Sequence, residues 1–397
     1  MRRFLLLLFT IGCLTPSAGA ALSPQATISH ITVAPGQDLY DSFGHTALWI
    51  YDPANGIDKV YGYGTYDFNA PNFYGKFVRG QLDYMLSVMD MGNFLYGYQY
   101  QNRTVTDQVL NLTPEQKEQT YAFLENNYLP QNRFYKYDFF FDNCTSRIRD
   151  VLKKIGGDAL SFSPPAEQRS FRQWIDVYLQ EQDWSDFGMD LGLGDLSDRV
   201  ATPYESMFLP ENLFHGLEKA TIVHNGQRQP LVMQTRTLFQ ATPVEKEAEG
   251  FSPIRAFWLA FLLVAGITWW QYRKNRNGYR LDVFLFVLAG LTGCVLVFLW
   301  LGTDHGVTRN NWNLAWAWPL HLFVAFLLGQ QKKPEWLSVY FLVYAIVAGV
   351  VLLGWRVWPQ ELDAELVPLV LMLALRAVFV YLRLKRPVLV ERPVVQS

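Results

Sequence analysis

Five apolar stretches, at about 254–272, 281–301, 313–329, 335–355 and 363–382, limit what this 397-residue chain can fold into more than any other feature. At 1.5 Å per helical residue each is near the length that crosses roughly 30 Å of hydrocarbon, the third being short. Charges fall almost entirely in the connections. Arg273, Lys274, Arg276 and Arg280 sit in the first link, Lys332 and Lys333 in the third, and Arg383, Lys385, Arg386 and Arg392 in the tail. The second link carries only Arg309 among its Lys and Arg, and the fourth sets Arg356 beside Glu361, Asp363 and Glu365. Basic links stay cytoplasmic, so the first, third and tail segments face inward and the polypeptide before Ile254 lies outside.

The N-terminus agrees with that orientation. Arg2 and Arg3, the apolar Phe4–Leu14 and the small residues Ser17-Ala18-Gly19-Ala20 read as a signal peptide over 1–20. Gly12-Cys13 leaves a second reading, lipid attachment at Cys13. The expected organisation is therefore a signal peptide (1–20), an exported domain with a juxtamembrane connector (21–250), a five-helix membrane domain (251–386) and a cytoplasmic tail (387–397). The bacterial inner membrane, with the exported domain in the periplasm, is the compartment this layout implies.

With Cys13 removed, Cys144 is the one thiol of the exported domain, since Cys294 sits in an apolar segment. A lone thiol in an oxidising compartment is either buried or used. The net charge of −2 offers no electrostatic footprint for nucleic acid. The 28 Phe, 21 Tyr and 13 Trp suit work at a lipid surface, although an aromatic core has the same composition.

The exported domain alternates more like strands than helices at first. Ile28–Val33 and Thr46–Tyr51 read as strands, Asp52-Pro53-Ala54-Asn55-Gly56 as a turn and Lys59–Thr65 as the return strand of a hairpin. Tyr84–Val88 and Thr104–Leu110 add strand candidates. Thr113-Pro114 opens a helix to about Asn127. Asp142 or Asn143 caps a second helix, with Cys144 in its first turn and Gly156-Gly157 at its end. Residues 161–244 read as the rest of the domain and a connector: a helix-like Phe171–Gln180, a Gly/Asp-rich stretch 188–198, and Phe208-Leu209 and Leu213-Phe214 as candidates for packing on the bilayer.

A helix N-terminus favours a thiolate and can hold an oxyanion, so Cys144 reads as a nucleophile, with burial as a small hydrophobe its structural alternative. A thiol nucleophile needs a base. Among His30, His45, His215 and His224 the best placed is His45, at a strand mouth behind Gly44; a hydrogen-bonded strand-end histidine is the competing reading. Side chains alternate along a strand, and with the turn near Asn55, Tyr63, Thr65 and Asp67 are expected on the face of His45. Asp67 is then the candidate third member that orients the imidazole. Tyr63, Asn143 and His305 are the expected substrate contacts. His305 lies in the second link, 302–313, which is either an ordinary solvated loop or a polar rim over the site. No metal-ligand spacing, phosphate-binding glycine loop or repeat is evident, and no cofactor is expected.

The order of Gly44-His45, hairpin and Asn143-Cys144 resembles circularly permuted papain-like folds, among them NlpC/P60 relatives and lecithin:retinol acyltransferase-like proteins. A closer resemblance is to the Lnb N-terminal periplasmic domain family. It rests on Ser42–Leu48, Val60–Phe68, Pro71-Asn72-Phe73-Tyr74, Asp142-Asn143-Cys144-Thr145 and Asp198–Pro203. The polar link from Thr303 to Asn313 is similar to that of longer members. The resemblance implies an α+β exported domain before a five-helix bundle. It also implies lipoprotein N-acyltransferase activity: an acyl chain passes from a membrane phospholipid, by way of a thioester on Cys144, to the α-amine of a diacylglyceryl-cysteine lipoprotein. Phospholipid, lipoprotein and membrane lipid are the partners so implied. Two alternatives stay open, a membrane-anchored cysteine peptidase or amidase acting on peptidoglycan and a non-enzymatic lipid-binding scaffold.

Overall fold

The computed structural model describes residues 21–243, 250–276 and 278–385; the signal-peptide and tail expectations lie outside them. The exported part is α+β. Its elements are β1 (Thr27–Val33), β2 (His45–Asp52), β3 (Ile57–Tyr66), α1 (Phe73–Val78), β4 (Asp83–Met89), α2 (Met91–Tyr100), β5 (Val105–Leu110), α3 (Pro114–Tyr128), β6 (Phe134–Lys136) and α4 (Cys144–Gly156). Then come β7 (Leu160–Ser161), α5 (Phe171–Leu179), α6 (Asp183–Gly192), α7 (Pro203–Ser206), α8 (Pro210–Glu218), β8 (Thr221–His224), β9 (Gln227–Pro230) and β10 (Val232–Phe239). An antiparallel seven-stranded sheet runs β10-β5-β1-β2-β3-β4-β6, and β7-β8-β9 form a smaller one.

The expected hairpin is β2–β3, pairing Leu48 with Tyr61 and Asp52 with Ile57. Opposite residues share a face, so Leu48, Ile50, Tyr61 and Tyr63 point one way, into a core with Ile148, Val151 and Leu152 of α4 and Leu124 of α3. Ala47 and Val60 point the other way, toward Met91 and Phe94 of α2. Burying the three aliphatic side chains of α4 contributes about 1.5–3 kcal/mol each, which seats that helix across the hairpin. Thr113 and Gln116 form the capping box that starts α3, with Pro114 in its first turn.

Within 161–243 the rest of the exported domain holds elements that its sequence did not announce. Asp183–Gly192 is helix α6, despite its glycines, and β10 closes the main sheet against β5. Phe208, Leu209 and Leu213 are buried in the protein interior and do not rest on the bilayer. They fill the space under α5 and α8, an apolar demand that the exported domain meets by itself.

Five candidate spans follow: Pro253–Arg273, Arg280–Leu301, Gly306–Gly329, Trp336–Leu353 and Leu366–Lys385. Their helices are α9 (Pro253–Arg273), α10 (Arg280–Leu301), α11 (Leu320–Gly329), α12 (Trp336–Leu353) and α13 (Leu366–Lys385). The third span is not one helix. It descends through two short 3-10 turns at Gly306–Thr308 and Trp312–Ala315, and α11 begins only after Pro319, which cannot donate into a helix interior. At the other end of the bundle Arg376 is fully buried. Its guanidinium donates to both carboxylate oxygens of Asp282 at 2.6 and 2.8 Å, and to Thr268 and Gln271, tying α13 to α10 and α9.

The exported domain is seated on the membrane block through the two links that the charge pattern assigns to its side. Asn311 donates to the carbonyls of Leu191, Gly192 and Leu193, and Gly194 N–H donates to Val307 O at 2.9 Å. From the fourth link Gln360 donates to Leu193 O, while its own carbonyl accepts from Trp312 N–H. Trp184 and Phe187 of α6 pack on Phe257 of α9. Thus the chain is a multi-pass membrane protein with its α+β domain held against one end of the bundle.

Candidate active site

Asn143 starts α4. Its Oδ1 accepts from Thr145 N–H and Ser146 N–H, both at 2.8 Å, and Ser146 Oγ accepts from Asn143 N–H in return. Its amide group donates to the carbonyls of Phe139 and Phe208. Every polar atom of this buried side chain is thereby used inside the protein, so Asn143 is a helix cap that sets the angle of Cys144.

Cys144 therefore projects from the first turn of α4 toward the place where β2 and β3 separate. Their pairing stops at Leu48/Tyr61. Beyond it β3 follows β4 through an irregularity between Gly62 and Thr65. The Thr46 N–H, no longer facing a paired strand, is directed at the Cys144 sulfur, and Thr145 Oγ1 lies 3.7 Å from it. Two glycines keep the gap open. A Cβ on Gly62 would lie 3.5 Å from His45 Nε2, and one on Gly64, where φ is +91°, would lie 3.6 Å from the Cys144 Cβ. His45 Nε2 thus lies over Gly62 and the Cys144 Cβ over Gly64, two positions further along β3. A larger side chain at 62 or 64 would press on them.

The His45 ring stacks on Tyr98 of α2, centroids 6.4 Å apart, and Arg103 lies over the far part of that tyrosine, 5.2 Å from its centroid. Arg103 is paired with buried Asp41 at 3.4 Å. Burial pushes the His45 pKa down to about 4, and the nearby Arg103 charge acts in the same direction. Burial pushes the Cys144 thiol up, against the opposing hydroxyl of Thr145 and the N–H groups of Thr46, Thr145 and Cys144. The helix end does favour the thiolate, but desolvation outweighs it. At rest the Cys144 thiol and the His45 imidazole are therefore both neutral.

The other sequence candidates are elsewhere. Asp67 is exposed beyond the end of β3, its carboxylate accepting from Asn69 N–H at 2.8 Å. Tyr63 is buried on the α3 side, where its hydroxyl donates to Asn127 at 2.5 Å. The hairpin register explains both placements. Extending Leu48↔Tyr61 sets position 45 opposite 64, so odd-numbered Tyr63 lies on the opposite face from His45. His305 is part of the seam with the membrane block, packed against Gly80. Of the remaining histidines, His30 is buried against Gln108, His215 is exposed among Glu211 and Glu218, and His224 bonds Asn111 O.

Sequence reasoning missed Thr46, Gly62, Gly64, Tyr98, Arg103 and Ser87. The Ser87 hydroxyl sits over the same glycine as His45 Nε2, 3.8 Å from a Cβ built on Gly62, and bonds Thr65 Oγ1 at 2.7 Å. Glycines at alternate positions in Tyr61-Gly62-Tyr63-Gly64 were the available signal, since such a pattern marks close approach to a strand. Among the described residues Asp176, Asp186 and Asp190 bring carboxylate oxygens within 4.8 Å of one another. Asp176 and Asp190 border a cavity of about 880 Å³ with Arg172 and the fourth link, which contains neither His45 nor Cys144.

The Lnb N-terminal periplasmic domain model matches residues 19–175, which contain the whole His45/Cys144 cleft. The Lnb transmembrane domain model matches residues 245–387. The chain belongs to the Lnb family. These domains mark a family of membrane enzymes that modify lipoproteins, and they place the α+β domain in the periplasm and the five spans in the inner membrane. No curated protein matches the chain, and neither does any solved structure. The 69 residues between the two Lnb matches, 176–244, supply α6, which grips the membrane links, and β10, which completes the sheet.

Proposed function

We propose that the protein is a lipoprotein N-acyltransferase that works through a thioester on Cys144, in a cleft arranged like that of permuted papain-like thiol enzymes. The observation that carries this reading is Cys144 at a capped helix start, with the Thr46 N–H acting on its thiol, over Gly64 of the strand that has an unprotonated His45 over Gly62, in a domain fixed to membrane helices. His45 takes the thiol proton as sulfur attacks an ester carbonyl of a phospholipid. The N–H groups of Thr46 and Cys144 hold the oxyanion that forms. The C–O bond then breaks, His45 returns the proton to the departing glycerol oxygen, and a lysophospholipid leaves. The α-amine of a diacylglyceryl-cysteine lipoprotein next attacks the thioester. The sulfur departs, His45 relays the amine's proton to it, and an amide is formed.

Ser87, which faces Gly62 as His45 Nε2 does, is the group we propose for orienting the imidazole, the role first expected of Asp67. Tethering fits the chemistry, because donor and acceptor are both held in the membrane and meet the site at high effective concentration.

The test is intact-protein mass spectrometry of the enzyme with phospholipid and no acceptor. A long-chain acyl adduct on Cys144 is expected. Adding a diacylglyceryl-modified peptide with a free α-amine should discharge it, and the N-acetylated peptide should not. Cleavage of peptidoglycan stem peptides without any acyl adduct would replace this reading with the hydrolase.

A further inference from the structure

We propose that the aromatic segment 66–78, ending in α1, lies in the outer leaflet of the bilayer and is the surface along which a phospholipid acyl chain reaches Cys144. The acyl-chain part of this inference rests on the acyltransferase reading; the membrane contact does not.

The segment exposes apolar area that the fold never covers. Phe68 is 68% exposed, Tyr74 80%, Phe77 47% and Val78 50%. These side chains do not form a disordered fringe, because Phe73 packs on Phe68, Tyr74 and Phe77 with centroids 5.1, 5.3 and 6.1 Å apart. An exposed, contiguous and internally packed apolar surface is the mark of a binding face.

Its position says what covers it. The turn after α1 is fastened to the second membrane link. Asp304 N–H donates to Arg79 O at 2.7 Å, Gln81 Nε2 donates to the Asp304 carboxylate at 3.0 Å, and Gly80 (φ +67°) packs directly against His305. Asp304 follows the last residue of α10, Leu301, by three positions. At no more than about 3.6 Å per residue, the attachment point is within roughly 11 Å of the end of a membrane helix. That is the depth of the headgroup layer, where amphipathic rings and snorkelling cations are favoured. Lys76 and Arg79 flank the exposed rings and can reach lipid phosphate.

The face also leads to the site. Phe68 meets Tyr66, Tyr66 meets Tyr84, and Tyr84 meets Tyr137, at 4.9, 5.4 and 4.6 Å between centroids. Tyr137 and Cys144 then share the space over Gly64. An acyl chain laid along these rings stays out of water from the leaflet to the sulfur.

The test uses the full chain in lipid nanodiscs, with Cys13, Cys144 and Cys294 replaced by serine and a bimane label at Tyr74→Cys, Phe77→Cys or Ala54→Cys. Position 54 is in the β2–β3 turn, about 25 Å of strand away from His45. Lipids brominated in their acyl chains should quench labels at 74 and 77 at least threefold more than at 54. Equal quenching at the three positions overturns the membrane contact. Quenching that is absent in discs with one copy, while the label becomes shielded in discs with two, assigns the face to self-association instead. For the acyl route, Phe68→Ser/Phe77→Ser should lose at least tenfold more Cys144 acylation with bilayer phospholipid than with a monomeric short-chain phospholipid. Equal losses with both donors refute the route. Lipid quenching with no acylation in any variant would leave the membrane contact standing and count against the enzyme reading.

Discussion

The acid limb of the first half-reaction is the sharpest test of the cleft, because the neutral resting pair makes it fall far from the ordinary histidine range. Acylation needs His45 unprotonated. Burial, assisted by Arg103, lowers its pKa to about 4 from an ordinary value of 6.5. At pH 5 a group of pKa 4 is about 90% neutral, whereas one of pKa 6.5 is about 3% neutral. Single-turnover acylation of Cys144 at pH 5, followed by mass spectrometry, should therefore run close to its pH 7 rate rather than about 25-fold slower. Acceptor must be left out, since a lipoprotein α-amine titrates near pH 8 and would impose its own limb on the second step. The thiol adds no opposing limb: its pKa is raised, so it stays the neutral partner that the base deprotonates in flight. Arg103→Met removes the cation and should move the midpoint upward, but not as far as 6.5, because burial is the larger cause. A wild-type midpoint between pH 6 and 7, in protein shown to be folded by near-ultraviolet circular dichroism, would refute the desolvated imidazole and with it the general-base account.

Two further outcomes follow from packing. Gly194→Ala would bring a Cβ to 1.7 Å from Arg309 O, so the second link must come off the domain; faster proteolysis within 302–313 and lower acylation are expected, and unchanged protection would contradict the seating described. Arg376→Leu strands Asp282 inside the bundle and should cost about 3–5 kcal/mol, while Arg376→Leu/Asp282→Leu should recover most of it, as read by thermal unfolding in detergent. A double variant as unstable as the single would show that the pair itself, not the stranded charge, sets the cost.

The parts of this protein that were legible in the sequence are those whose signals are local. Membrane spans carry their own length and charge rules. Thr113-Pro114 and Asn143 announce helix starts because a cap acts on N–H groups two or three residues away. Asn55-Gly56 announces the hairpin. By contrast, β10 finds its partner β5 more than 120 positions earlier, and most of its side chains are partly or fully exposed, so no alternation marks it. Helix α6 was hidden by Gly188 and Gly192, residues that cost helix stability and are tolerated because α6 packs on α9 and its C-terminal carbonyls are bonded by Asn311.

The candidate site divides along the same line. The placement of His45 at a strand start behind a glycine, and of Cys144 in the first turn of a helix, was legible. The side chains around them were not, because those depend on strand register. A turn tip near Asn55 sets His45 opposite Thr65 and Asp67 on its face; the pairing of Leu48 with Tyr61 is one residue different and carries Tyr63 and Asp67 to the other face. The β3–β4 register sets Ser87 opposite Gly62. No local signal marks the end of the β2–β3 pairing at Leu48/Tyr61, beyond which the Thr46 N–H is free to act on the Cys144 thiol. A hairpin paired to its mouth would place β3 where the proposed mechanism brings in the acyl carbonyl, and two glycines and a strand irregularity keep that space free.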